Sequence, residues 1–453
     1  MRHLVAVVVY GLVVAACAGT GTVPSPPTTP AAGTPATSTP PPTRPGQAPV
    51  GVEAVRADVP RAAVTDVTDD ELAALVAGDT AFALDLYRQT AGDTNLVLSP
   101  YSVAAALTMT YAGARGDTAA QMRDVLHLGL GDDRIHAARN EEDLRIGAPA
   151  EPGPGDDRQP FTLQVANSLW GQQGYPFLDE FLTLLAEHYG AGMNLVDFVG
   201  AAEEARQTIN AWVERETEGK ITDLIPEGVI DDLTRLVLVN AIWFKANWQV
   251  PFDPALTADA AFTTLAGDQV TVPMMAADLR TDYVEADGYA AVRLRYAGDA
   301  SMLVVVPDPG RFDDVASRLD PDLVAEIDRG LAEHQVELRM PRFRFRTNVA
   351  LAEVLKELGM VAAFTEPSRP DGADFSGMTG TRELFIKAVA HQAFIAVDEE
   401  GTEAAAATAV VVGVESLPPP ATLDVDRPFL FLIRHDSTGE ILFLGQVTDP
   451  SAG

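Results

Sequence analysis

Cysteine is all but missing: Cys17 is the single one in 453 residues. One thiol excludes an intramolecular disulfide framework and a cysteine-rich metal site. Lysine is nearly as scarce, confined to Lys220, Lys245, Lys356 and Lys387. Basic residues number 32 against 65 acidic ones, a formal charge of −33. So acidic a chain lacks the cations needed to displace counterions from nucleic acid or to settle on anionic lipid. Missing too are a Walker loop, a dinucleotide glycine fingerprint, a Gly-x-Ser-x-Gly elbow and paired histidines at metal spacing. The seven histidines are scattered, and the acidic pairs Asp132-Asp133, Asp156-Asp157 and Asp231-Asp232 lack the spacing of a calcium loop. Nothing therefore supports an enzyme, a metal or a cofactor. What the chain has is length for two or three average domains and 47% hydrophobic residues to build a core.

The apolar run from Leu4 to Ala16 spans thirteen residues, too few for a transmembrane helix. Arg2 and His3 precede it and small residues end it, the pattern of a secretory leader. Val14-Ala15-Ala16-Cys17 resembles a bacterial lipobox, which makes residues 1–16 a lipoprotein signal and Cys17 a lipidation site. A leader cut elsewhere, with Cys17 discarded, is the alternative. From Ala18 to about Pro60 the chain is Pro, Thr, Ala and Gly with no apolar period. Such a segment buries too little to offset its ordering entropy. In polyproline form, at about 3.1 Å per residue, it reaches on the order of 100 Å. Residues 17–60 are thus expected to tether a soluble domain, residues 61–453, at the outside of a membrane.

That domain reads as α+β. Leu72, Leu75, Val76, Phe82 and Leu86 mark one helix, and Ser99-Pro100 open another as N-cap and first turn. Thr118 to Leu126 and residues 201–217 give two more, the latter burying Ala205, Ile209, Trp212 and Val213. Strand-like runs follow at Val237 to Lys245, Ala291 to Tyr296, Met302 to Val306, Gln335 to Phe345 and Leu384 to Val397. Phe429 to Arg434 and Ile441 to Val447 form a hairpin through Asp436-Ser437-Thr438-Gly439. Helices early and antiparallel strands late point to α+β rather than alternating βαβ units.

Between Asp398 and Pro420 propensities conflict: two acids and a glycine, four alanines, three valines, then prolines. Glu399, Glu400, Gly401, Thr402, Glu403, Ala404, Ala405, Ala406, Ala407 and Thr408 resemble the hinge of a serpin reactive-centre loop. Leu423 to Ile433 resembles that family's C-terminal signature, and Asn95 to Ser102 the start of its second helix. Asn210 to Val213 with Thr217 to Ile221, Val239 to Lys245, Val272 to Met275 and Ala373 to Met378 match in the same order. The chain is therefore similar to serpins from about Asp69 to Pro450. The resemblance implies three β-sheets, eight or nine helices and an exposed loop at about 399–423. It also implies a suicide substrate: a serine protease cleaves the loop, the loop inserts as a strand in the main sheet, and the acyl-enzyme is trapped. Serpin loop insertion is itself a standard illustration of strand addition driven by released strain.

The residues suit that implied movement. Alternation puts Thr402, Ala404, Ala406, Thr408, Val410 and Val412 on one face, none charged. No proline interrupts before Pro418, so each inserted N–H is free to donate to a ladder. By the family's loop length the scissile bond is Glu415-Ser416, which implies a glutamyl-specific target. Val414 as the cut residue implies an elastase-like one, and a cysteine protease is a further option. The family pattern also assigns Ser99, Ser102, Asn240 and His391 to a polar cluster under the main sheet, and Trp243 to the place where the loop enters it. The expected partner is an extracellular serine protease and the expected state a monomer, with no nucleic acid and no membrane contact beyond the anchor. A non-inhibitory serpin, a carrier with a cleavable loop, is the competing function.

Overall fold

The structure, a computed structural model, describes residues 52–63, 66–148, 161–402 and 418–452. The leader, Cys17, hinge residues Glu403 to Thr408 and the bonds at Val414, Glu415 and Ser416 lie outside the described residues.

In chain order the elements are β1 (Glu53–Val55), α1 (Asp69–Thr90), β2 (Leu96–Leu98), α2 (Pro100–Tyr111), α3 (Gly116–Val125) and α4 (Asp132–Ile146). Then come β3 (Thr162–Gln172), α5 (Asp179–Tyr189), β4 (Met193–Val196), α6 (Ala202–Glu216), β5 (Leu236–Asn247), β6 (Ala258–Thr263) and β7 (Gln269–Ala286). They continue with β8 (Tyr289–Arg295), β9 (Ala300–Pro307), α7 (Phe312–Ser317), α8 (Pro321–Gly330), β10 (Ala332–Pro341), β11 (Phe343–Ala350), α9 (Leu351–Glu357) and α10 (Ser376–Thr379). The last five are β12 (Ile386–Val397), β13 (Gly401–Thr402), β14 (Pro420–Asp424), β15 (Phe429–His435) and β16 (Ile441–Val447).

Local chemistry sets several boundaries. Thr68 and Glu71 close a reciprocal capping box on α1, behind three acids in its first turn. Ser99 caps α2, where Pro100 removes an N–H that no helical carbonyl would have met. The Asp436–Gly439 turn joins β15 to β16 as expected, with Gly439 in the left-handed region.

The fold is α+β as expected, with ten α-helices among the described residues rather than eight or nine. Among the described residues the strands form two hydrogen-bonded sheets where three were expected. One runs β1-β4-β3-β5-β13-β12-β11; the other runs β14-β10-β7-β8-β9-β15-β16-β2, with β6 on β7. The count falls because β7 is long. Its first residues pair with β6, its middle with β10 and its end with β8, so one strand fuses two ladders.

Two other expectations change. The run Gln335 to Phe345 is two strands, not one. It breaks at Arg342, so that β10 lies in the larger sheet and β11 in the smaller. Nor are the first sixty residues wholly outside the fold: Glu53–Val55 pairs antiparallel with Met193–Leu195 of β4. Main-chain pairing needs no apolar pattern, so hydropathy gave no sign of it.

One core lies between the sheets, where Ile242 and Phe244 of β5 and Phe343 and Phe345 of β11 meet strands of the larger sheet. On the opposite face of β5, Val237, Val239 and Ala241 pack with Ile209 and Val213 of α6. Covered on both faces, β5 reads as a nearly unbroken apolar run.

Candidate functional site

The centre of the smaller sheet is closed below and parted above. From Ile386↔Leu236 to Phe394↔Trp243, β12 and β5 pair directly in parallel. Above that rung they separate, and β13 fills the wedge. Gly401 pairs with Asn247, and Thr402 lies between Ala246 of β5 and Val397 of β12. Two residues of the expected hinge, Gly401 and Thr402, are thus already a strand in the sheet.

Several groups hold them there. Asp398 Oδ1 accepts the N–H groups of Glu400 and Gly401 at 2.9 and 3.2 Å. The N–H groups of Trp248 and Phe252 donate to the carbonyls of Glu400 and Glu399, each at 2.8 Å. Gly401 has φ +152°, and a Cβ there would fall 2.0 Å from the carbonyl oxygen of Ala246. Only glycine fits that position. Thr402 is fully buried, and its hydroxyl meets the Tyr296 hydroxyl at 2.8 Å. Tyr296 stacks on Trp248 with ring centroids 4.4 Å apart, and Trp248 Nε1 donates to the Asp398 carbonyl at 3.0 Å. The buried Glu399 carboxylate accepts from Arg342 Nε at 2.8 Å, from Arg342 Nη2 and from the Thr257 hydroxyl. Burial opposes its ionisation, but those donors outweigh burial and hold it below the usual glutamate range.

Beneath the closed part lies a polar cluster built from three neighbouring strands and a helix start. His391, Asn240 and Asn167 stand opposite one another on β12, β5 and β3. The Ser99 N–H donates to His391 Nε2 at 3.2 Å, so Nδ1 carries the proton and donates to Asn240 Oδ1. Asn240 Nδ2 donates to Ser102 Oγ and to Asn167 Oδ1. The Ser102 hydroxyl donates to Asn167 Oδ1 at 2.8 Å, and Asn167 Nδ2 donates to the Ser102 carbonyl at 3.0 Å. A strand entering between β5 and β12 breaks the His391–Asn240 link first, because that bond crosses the gap.

His391 is fully buried, and burial pushes its pKa down to about 3. A protonated ring could not accept from Ser99. The unfolded chain takes up that proton below about pH 6.5, whereas the native state resists down to about pH 3. The His391 contribution is therefore fully present above pH 6.5 and is lost as pH falls toward 3. Thermal midpoints of wild type and His391→Gln across that range should converge as pH falls. Parallel curves would show that His391 does not titrate with unfolding.

The structure thus brings Ser99, Ser102, Asn240 and His391 together, and seats Gly401 and Thr402 in the wedge, with Glu399 and Glu400 in the turn that leads into it. Trp243 is placed otherwise than expected. It forms the last closed rung opposite Phe394, alternating onto the side of β5 that carries Val237, Val239 and Ala241 against α6, with Lys220 over its ring, and the tryptophan against the hinge is Trp248. The resemblance led to the first tryptophan of the β5 segment; the second, next to Pro251-Phe252 where the strand ends, is the one that meets the hinge. Asn167, Tyr296, Arg342 and Thr257 also escaped notice. An asparagine in an apolar strand was the available signal for Asn167; contacts of high sequence separation left none for the others.

Comparison with known proteins agrees with this geometry. The family model for serpin (serine protease inhibitor) matches residues 77–450. The leukocyte elastase inhibitor of Bos taurus is 39% identical over 394 residues, covering 83% of this chain and 99% of that protein. Among solved structures, the thermophilic serpin tengpin in its native state superposes with TM-score 0.75 at 26% identity, covering 88% and 100% of the two chains. Human thyroxine-binding globulin superposes with TM-score 0.73 at 30% identity, covering 84% and 99%.

Proposed function

This chain belongs to the serpin family, and from that premise we propose that it inhibits an extracellular serine protease as a suicide substrate. Serpins are typically protease inhibitors rather than enzymes, and some members are non-inhibitory. The observation that carries the inhibitory reading is the wedge: Gly401 and Thr402 stand between β5 and β12 as the first rung of a strand. The residues that follow, up to Val412, are mostly small or β-branched, with no charge on the face Thr402 buries. Cleavage beyond them frees that segment to continue the strand downward. Each step exchanges a parallel β5–β12 pair for two antiparallel ones. Burial of Val410 and Val412 contributes roughly 1.5–3 kcal/mol each.

The target follows from the cut residue. Glu415 before Ser416 suits a glutamyl-specific protease; Val414 suits an elastase-like one. The elastase reading gains from the name of the bovine relative. Incubation with a panel of both enzyme types, followed by denaturing electrophoresis, tests the reading. A covalent complex that survives SDS is expected, and mass spectrometry of the released peptide assigns the bond. Loop cleavage without a complex across the panel favours the carrier reading, which the likeness to thyroxine-binding globulin supports. Loop-cleaved protein should melt on the order of 10 °C or more above the intact form; an unchanged midpoint means that the loop does not insert.

The same reading places the molecule outside the cell as a lipoprotein, a monomer held by Cys17 and its Pro/Thr-rich tether. Cys17→Ser should release it from membranes into the medium; retention of the variant on membranes would overturn the anchor.

A further inference from the structure

A second polar constellation lies between α1, α4 and the turn into β16. Arg139 on α4 is 1% exposed. Its two Nη atoms donate to the two carboxylate oxygens of Asp79 at 2.6 and 2.8 Å, and Nη1 also reaches Glu142 Oε2 at 2.5 Å. Glu440, equally buried, points into the same space. Both of its carboxyl oxygens and Glu142 Oε1 find no donor among the described residues. Single oxygens of Asp79, Glu142 and Glu440 lie within 4.8 Å of one another. One guanidinium thus faces three carboxyl groups in a buried interior, where an uncompensated charge is strongly disfavoured.

A divalent cation would cancel the net charge of −2, and a proton would halve it. Arg139 Nη1 already occupies the space between Asp79 and Glu142, and both Asp79 oxygens are engaged. Two carboxyls remain, short of the six to eight oxygens that calcium takes or the octahedron that magnesium demands. We propose that Glu142 and Glu440 share a proton, forming a carboxyl–carboxylate hydrogen bond that fastens α4 to the β15–β16 turn and is lost as pH rises.

Burial raises Glu142 to about 7, and burial with the neighbouring charges of Glu142 and Asp79 raises Glu440 well above its ordinary value. The groups facing the pair are Asp79 on α1 and Arg139 on α4, with Tyr101 of α2 and Tyr189 of α5 near Glu142. Asp143 accepts from the Tyr101 hydroxyl at 2.5 Å and pairs with Arg61 at the same distance. Burial keeps both phenols neutral and holds His136, which meets the Tyr189 hydroxyl, at about 4. The direction follows from linkage. Between the unfolded glutamate value near 4.5 and the folded value near 7, the native state holds a proton that the unfolded chain has released. The pair's contribution is fully present below about 4.5 and declines as pH rises from there.

Thermal midpoints of the full chain and of Glu440→Gln, measured from pH 4.5 to 8.5, test this. Glutamine keeps the shape and a donor but cannot titrate. Wild type should lose ground to the variant by up to about tenfold in the unfolding constant per pH unit across the window. Infrared difference spectra at pH 7 should show the carbonyl stretch of a protonated carboxyl in wild type and lose it in Glu440→Gln. If that variant does not fold, Glu142→Gln serves the same comparison, and the wild-type carbonyl band stands by itself. Parallel pH profiles, or a wild type with no such band at pH 7, overturn the proposal. So does a chelator-treated wild type whose midpoint rises with calcium, magnesium or manganese while the variant's does not, since a cation would then fill the place of the proton.

Discussion

Thr402→Arg is expected to turn the inhibitor into a substrate. Thr402 is fully enclosed between Ala246 and Val397, with its hydroxyl on Tyr296. An arginine there would bury a guanidinium where the threonine hydroxyl meets only the Tyr296 hydroxyl, at an effective penalty of several kcal/mol. The side chain would stay in solvent and hold the hinge out of the wedge. If half of that penalty enters the barrier to insertion, insertion slows on the order of a hundredfold, since about 1.4 kcal/mol is tenfold in rate. Insertion competes with hydrolysis of the acyl-enzyme, so hydrolysis then wins. Denaturing gels with a responsive protease should show loop-cleaved variant and active enzyme in place of the covalent complex. Thr402→Ser, which keeps the hydroxyl, should retain trapping. An arginine variant that traps as well as wild type would mean that insertion does not begin at this rung.

Trp248→Ala should be the most destabilising single change at the site, at about 3–5 kcal/mol. The indole is buried, stacks on Tyr296 and lies edge-on to Phe252. Its Nε1 holds the Asp398 carbonyl at the bend where β12 gives way to the hinge. Without it, Tyr296 loses its stacking partner and the wedge loses its floor. Urea unfolding followed by tyrosine and tryptophan fluorescence measures the loss, and native gels should show ladders as opened sheets accept loops from other copies. Trp243→Ala provides the contrast, because that side chain lies on the α6 face away from the hinge. Equal effects on hinge protection in hydrogen exchange for the two variants would remove Trp248 from its special place.

Much of the scaffold was legible where one local signal sufficed. Ser99-Pro100 announced α2, the period of Leu72 to Leu86 announced α1, and the Asp436–Gly439 turn announced its hairpin. The site was legible mainly through resemblance, since nothing local links His391 to Asn240 or Asn167. Failures occur where backbone pairing acts without side-chain pattern, as in β1, or where one run serves two sheets, as at Arg342. The buried charges of α4 were hidden for a different reason. A helix mixing Arg134, Arg139 and Arg145 with acids looks solvent-facing throughout, yet Arg139 and Glu142 are interior. Their partners lie on α1 and in the turn ahead of β16, far along the chain.

The long ladder beside the loop has its own consequence. β14 pairs in parallel with β10 from Gln335↔Pro420 to Arg339↔Asp424, and β15 and β16 are buried within the same sheet. A cut anywhere between residues 403 and 417 leaves those three strands in the downstream piece. That piece remains bound through its ladders and its apolar core contacts. The nicked protein is then a two-chain complex held without covalent linkage, one particle on a sizing column and two bands in SDS. Its short chain should exchange with added peptide of the same sequence only when the larger sheet itself melts.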